Sequence, residues 1–127
     1  MNITALGKYL RILRLNHAEI MKVMAEKVGV SVAYLSSVEL GNKAPSNKFL
    51  KNIELSYGLQ GDDLDEFHSA AAKSLENVNI DLTSFDDSDK KLALVFARKI
   101  SELNRDEKNE LARLLEKGTH DETSSCH

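Results

Sequence analysis

The chain has 127 residues, is 42% hydrophobic and 29% charged, and carries a formal net charge of −3, a composition ordinary for one soluble globular domain or a small domain with an appendage. No apolar run approaches the roughly 18 residues that span a bilayer, and the N-terminus, MNITALGKYLRILR, lacks an apolar signal core followed by a small-residue cleavage site. The single cysteine, Cys126, cannot form an internal disulfide, so the expected compartment is the cytoplasm.

Leu6, Leu10 and Leu13, continued by His17, recur at three- and four-residue spacing and predict an amphipathic helix over 4–16. A second helix is predicted over 19–28, with Ile20, Met24 and Val28 on one stripe and Gly29 as its stop. Ser31 is a good N-cap for a third helix that ends before Gly41. Pro45-Ser46 opens a fourth, carrying Phe49, Leu50, Ile53 and Tyr57 up to Gly58. Gly61-Asp62 restarts a fifth, with Leu64, Phe67, His68 and Ala71 inward. Five short helices with brief connections predict a compact bundle over residues 1–75.

Residues 76–88 read as an extended linker or a short strand, because Val78, Ile80 and Leu82 alternate with Asn77, Asn79 and Asp81. A lone strand must find a partner, which a dimer mate would supply. Residues 89–118 read as a helix pair for dimerisation or another interaction. Its first helix carries Leu92, Val95, Phe96, Ile100 and Leu103; its second opens on a capping box of Asn104 and Glu107 and carries Leu111, Leu114 and Leu115 up to Gly118. Residues 119–127 are expected to be a disordered tail. The fold class is therefore all-α.

Charge divides unevenly along this plan. Residues 1–60 hold eight Lys/Arg against four acids, a net of +4, and residues 61–127 hold nine against sixteen, a net of −7. A basic first half suits phosphate binding. Chance clustering of solvated faces gives the same figures, so charge alone assigns nothing.

The most informative stretch is 24–45, MAEKVGVSVAYLSSVELGNKAP. Two short helices joined by a tight glycine-containing turn have the geometry of a helix-turn-helix, whose second helix can enter a DNA major groove. Residues 6–59 resemble the XRE family of helix-turn-helix regulators, which includes the phage repressors. The matching residues are Leu10 and Arg14, Met24-Ala25, Gly29 in the turn, Leu35, Glu39-x-Gly41 and Pro45. The resemblance implies a five-helix, phage-repressor-like bundle, double-stranded DNA as partner and an internal ion pair between Arg14 and Glu39.

On that plan the base-contacting positions are Ser31, Val32, Ala33, Ser36 and Ser37, on the outer face of the third helix. None is Arg, Gln or Asn, the side chains that make bidentate contacts with base edges. Apolar contact of Val32 or Ala33 with thymine methyls and single serine hydroxyls would have to serve. Where related regulators often place a Gln at the start of the second helix, this chain has Ile20-Met21, so the phosphate contact there falls to backbone N–H groups around Met21. Tyr34, Asn42, Lys43 and Lys48 are the other phosphate candidates, with Lys8 and Lys22 in reserve.

No catalytic constellation is present, no cofactor is implied, and His120, Cys126 and His127 make at most an accidental metal cluster. The leading expectation is a sequence-selective, homodimeric regulator, most simply a repressor binding a palindromic operator. The rival is a protein-interaction module, antitoxin-like, that docks a partner such as a toxin and binds DNA weakly or without specificity.

Overall fold

The computed structural model describes residues 3–124, and every regular element among them is helical. Seven α-helices follow in order: α1 (Ala5–Asn16), α2 (Met21–Val28), α3 (Val32–Glu39), α4 (Asn47–Ser56), α5 (Asp62–Ala72), α6 (Asp87–Lys99) and α7 (Arg105–Ser124), with a single 3-10 turn at Ile100–Glu102. Two compact units divide the chain, Met1–Asn79 and Ile80–His127. Among the described residues no helix is long and apolar enough to cross a membrane.

Local chemistry sets the helix boundaries. Thr4, Ser31 and Ser46 stand in extended backbone at the N-caps of α1, α3 and α4, and their hydroxyls accept from Gly7 N, Tyr34 N and Phe49 N respectively. At the end of α2, Gly29 takes the left-handed conformation at φ 73°, so that Gly29 N–H reaches Glu26 O and Val30 N–H reaches Ala25 O. These two bonds make a Schellman motif and turn the chain sharply into α3. α4 helps close the same end: Asn52 Nδ2 donates to Val28 O at 3.1 Å and Ser56 Oγ to Lys27 O at 3.2 Å. The last carbonyls of α2, orphaned by geometry, are thereby satisfied.

In the first unit α1 packs on α3 and α5, and α2 on α3 and α4. Leu6, Leu10, Leu13, Met24, Val28, Leu35, Val38, Phe49, Ile53, Phe67 and Ala71 form one buried cluster. Burying each large side chain contributes about 1.5–3 kcal/mol, which is why this unit holds together at its size. The α1–α3 crossing is tight at Gly7. A Cβ there would meet the Glu39 carbonyl oxygen at less than contact distance and Ile3 Cγ1 at 2.6 Å. Next to it, Thr4 donates to the Glu39 carbonyl from both its backbone N–H and its hydroxyl, each at 3.0 Å.

Several expectations change. Ile20 is not on the inner stripe of α2: it is the N-cap, in extended backbone, and 67% exposed. His68 points outward to Glu54, Nε2 to Oε2 at 3.1 Å, rather than into the core. His17 is exposed at the C-cap of α1, its ring edge-on to Tyr57. The alternating residues 78–82 pair with no strand among the described residues, because no second edge is presented to them. Gly118 does not end α7, which runs on to Ser124, so the expected tail begins as helix; Ser125, Cys126 and His127 lie outside the described residues.

In the second unit the expected capping box is present, joined by an N-cap at Asp86, and no core forms among residues 80–116. Asp86 caps α6 by accepting from Asp89 N at 2.8 Å. Asn104 and Glu107 exchange reciprocal bonds at the start of α7, Asn104 N to Glu107 Oε1 at 2.9 Å and Glu107 N to Asn104 Oδ1 at 2.8 Å. Yet among residues 80–116 no side chain is buried.

Candidate nucleic-acid interface

α3 is oriented by what it buries. Leu35 and Val38 enter the core, and Glu39 at the last position is 1% exposed. Its carboxylate meets the Arg14 guanidinium, Nη1 to Oε2, with a second bond from Nη2 to Oε1 at 3.2 Å. Arg14 Nη1 also lies 3.4 Å from Met24 Sδ, and Arg11 Nε approaches Glu39 Oε1 from the surface at 3.7 Å. The pair ties α1 to the far end of α3, and three helices converge on it.

The opposite side of α3 is open. Ser31, Val32 and Ala33 are exposed, and Ser36 and Ser37 are half-buried. Ser31 spends its oxygen on the cap bond to Tyr34 N, leaving its O–H to donate outward. Val32, 43% exposed, and Ala33 form a small apolar step at the head of the helix. The side chains on this face are small, so another surface could approach the helix closely. The face has few groups with which to read one.

Tyr34, one of the phosphate candidates, is tied to α4. It is half-buried, its hydroxyl accepts from Ser46 N at 3.0 Å and contacts Ser46 Oγ at 3.4 Å, and its ring packs edge-on against Phe49. The contact draws the first turn of α4 against α3. Lys43 Nζ lies 5.5 Å above the same ring, and exposed Lys48 follows two residues after Ser46. Asn42 and Lys43, both exposed, leave the end of α3 through a second glycine turn at Gly41. Tyr34, Lys43 and the head of α4 thus form one border of the α3 face.

Met21, half-buried, is the first residue of α2. Ile20, at the N-cap, provides no side-chain bond to the helix start. α3 and α4 have serine caps, so α2 differs in leaving its first N–H groups without one. Among the described residues Lys8, Lys22, Lys43 and Lys48 have no ion-pair partner, whereas three of the four acids in residues 1–60 are engaged: Glu39 by Arg14, Glu19 by Lys27 at 2.7 Å and Glu54 by His68. The positive excess of this half is therefore held on exposed lysines.

A cleft of about 260 Å3 lies elsewhere, between α1, the Tyr57–Leu59 turn and α5, lined by Tyr9, His17, Tyr57, Asp63 and Glu66 among others. No outer-face residue of α3 enters it. Among the described residues no group of three His, Cys, Asp or Glu side chains is arranged to hold a metal ion.

Sequence reasoning missed Gly7, whose lack of a side chain lets α1 reach the Glu39 carbonyl. A glycine inside an amphipathic helix gives only a weak hint of close approach. It also missed the Tyr34–Ser46 tie, which no local pattern encodes. Comparison with known proteins adds no relative: no family model, no curated protein and no solved structure matches the chain.

Proposed function

We propose that the chain is a DNA-binding regulator in which α2 and α3 act as a helix-turn-helix, within a phage-repressor-like arrangement of α1–α5. In this reading α3 enters the major groove. Ser31, Val32, Ala33, Ser36 and Ser37 face the bases, and Lys43, Lys48, Asn42 and the N–H groups around Met21 hold phosphates. The observation that carries the reading is the two-sided character of α3: one side is locked into the core by Leu35, Val38 and the Arg14–Glu39 pair, and the other is an open face bordered by unpaired lysines. Weak base readers favour a dimer, which doubles a half-site and requires operator half-sites about 34 Å apart. Cytoplasmic repression by such a dimer is the simplest role, with no enzymatic step and no cofactor.

The test is binding to random and to genomic duplex across a salt series. Phosphate neutralisation gives a log–log slope that steepens with the number of contacts. The double substitution Lys43→Glu and Lys48→Glu should abolish binding; unchanged affinity would sink the reading.

Two observations favour a second reading, a partner-binding module of the antitoxin kind. The α3 face lacks Arg, Gln and Asn, and the second unit leaves large apolar side chains exposed. No binding and no salt slope at low ionic strength would favour it.

A further inference from the structure

The second unit holds an apolar helix, and among its described side chains none is buried to form a core around it. Leu92–Ala97, LALVFA, is six consecutive apolar residues, which at 100° per residue cover every side of α6. Leu92 is 69% exposed, Leu94 57%, Val95 44% and Phe96 39%, and only Ala93 in the run is half-buried. An apolar helix face this wide calls for a partner that covers at least its best-defined stripe.

We infer that one face of α6 is covered by α6 of a second copy of this chain, running antiparallel, with the two-fold axis crossing the helix at the level of residue 94, on the side away from the Leu94 side chain. The inference deepens the dimer of the functional reading and rests on that part of it. Its basis is the order of residues along one stripe of the helix: Asp89, Leu92, Phe96 and Lys99, spaced three, four and three. This is the spacing of a helix–helix seam. The stripe is also chemically palindromic under an antiparallel two-fold. Asp89 then faces Lys99 of the second copy, Leu92 faces Phe96, and both ends repeat the same contacts in reverse.

Charge selects the antiparallel arrangement. On the stripe itself the start of α6 carries the carboxylate of Asp89 and its end the ammonium of Lys99, while Asp86 is the N-cap and Asp87 and Arg98 lie well off the stripe at 100° per residue. Parallel packing would set carboxylate against carboxylate at one end and cation against cation at the other. Antiparallel packing sets opposite charges together at both ends and opposes the helix dipoles favourably. Lys90 and Lys91 share the first turns of α6 but point well away from the stripe at helical spacing. Lys99 now has Glu102 at 3.9 Å, an exposed contact that Asp89 of the second copy would share or replace.

The test is the mass of the full chain without DNA, by analytical ultracentrifugation across a concentration series, with helix content followed by circular dichroism. The expected result is a dimer at micromolar concentration. Leu92→Glu should yield a monomer that keeps its helicity. Asp89→Lys and Lys99→Glu should each weaken the dimer about tenfold, because two symmetry-related pairs turn repulsive together. The variant carrying both changes, and an equimolar mixture of the two single variants, should recover it. A monomer at all concentrations overturns the proposal and gives the face to a different protein. A dimer indifferent to Leu92→Glu and to charge reversal overturns it as well. DNA binding is measured separately: a chain that dimerises as described but ignores DNA removes the DNA reading and leaves this seam intact.

Discussion

Arg14 and Glu39, 25 residues apart, close on one another as a two-pronged ion pair in which both side chains are at least nine-tenths buried. The pair links the last turn of α1 to the last residue of α3 and shares its pocket with Met24 Sδ of α2. Its geometry is what holds the outer face of α3 at a fixed angle to the rest of the first unit.

Breaking this pair from one side should be costly. Glu39→Leu leaves the buried Arg14 guanidinium without its carboxylate, with an expected loss of about 3–5 kcal/mol, and Arg14→Met leaves Glu39 with only the exposed Arg11 at 3.7 Å. The double replacement removes both charges and should lose markedly less, since desolvation then costs nothing. Urea titration of the four chains, followed by circular dichroism, gives the coupling directly. Equal losses in the singles and the double would show that packing, not charge, sets the effect.

Ala18 offers the opposite case, a site where the native residue is a poor fit. It follows the end of α1 at φ 53°, with Ala18 N–H on Leu15 O at 3.2 Å and Glu19 N–H on Arg14 O at 2.9 Å. These are the bonds of the turn that Gly29 makes after α2, here built with a Cβ in a left-handed conformation. Ala18→Gly should therefore stabilise the fold by about 0.5–1 kcal/mol. Gly29→Ala should destabilise it by about 1 kcal/mol from backbone strain alone, because an added Cβ there meets nothing within 4 Å. Thermal unfolding of the two variants against the parent decides both signs.

These residues also show what a sequence can disclose. Thr4, Ser31, Ser46, Gly29 and the Asn104–Glu107 box act within one turn of themselves, so their effect on helix boundaries is visible in the sequence. For Ile20 the period predicts a helix from residue 19, whereas α2 begins two residues later at Met21. As an N-cap in extended backbone it leaves the stripe that Met24 and Val28 occupy. Gly7 and the Tyr34–Ser46 bond depend on which helices meet, information that spacing does not carry. For Val78, Ile80 and Leu82 the alternation was real, but a strand also needs a neighbour. Leu92 and Phe96 were legible as an apolar stripe; that the chain's own fold leaves them uncovered was not.

Glu19 makes stability depend on pH. Lys27 Nζ lies 2.7 Å from one carboxylate oxygen and the Tyr57 hydroxyl donates to the other at 2.6 Å. The hydrogen bond from Lys27, then that from Tyr57, holds the carboxyl below its ordinary range. A carboxyl with a depressed folded pKa stabilises fully above the unfolded value of about 4.3, and that contribution is lost as pH falls through the folded value. Tyr57 is pushed in the other direction, upward, by burial first and by its bond to Glu19 second, so its contribution holds below about pH 10 and is lost only as pH rises through its folded value. The parent should exceed Glu19→Gln in stability by a constant margin near neutrality. The two should converge as pH falls below about 4. Unfolding curves at a series of pH values check this; a margin that survives into acid would assign it to shape rather than charge.

The border of the α3 face permits a division between structure and binding. The Tyr34 hydroxyl is occupied by Ser46, while Lys43, above the same ring, has no carboxylate partner among the described residues. Tyr34→Phe leaves the Ser46 N–H without its acceptor and should reduce stability by about 0.5–1.5 kcal/mol. A neutral phenol displaces no counterion, so the salt dependence of DNA binding should stay as it was. Lys43→Gln should do the reverse, leaving stability nearly unchanged and lowering the magnitude of the log–log salt slope by about one. Measuring both quantities on both variants separates the roles. If Tyr34→Phe weakened binding without loss of stability, the hydroxyl would be leaving Ser46 to reach the phosphate itself.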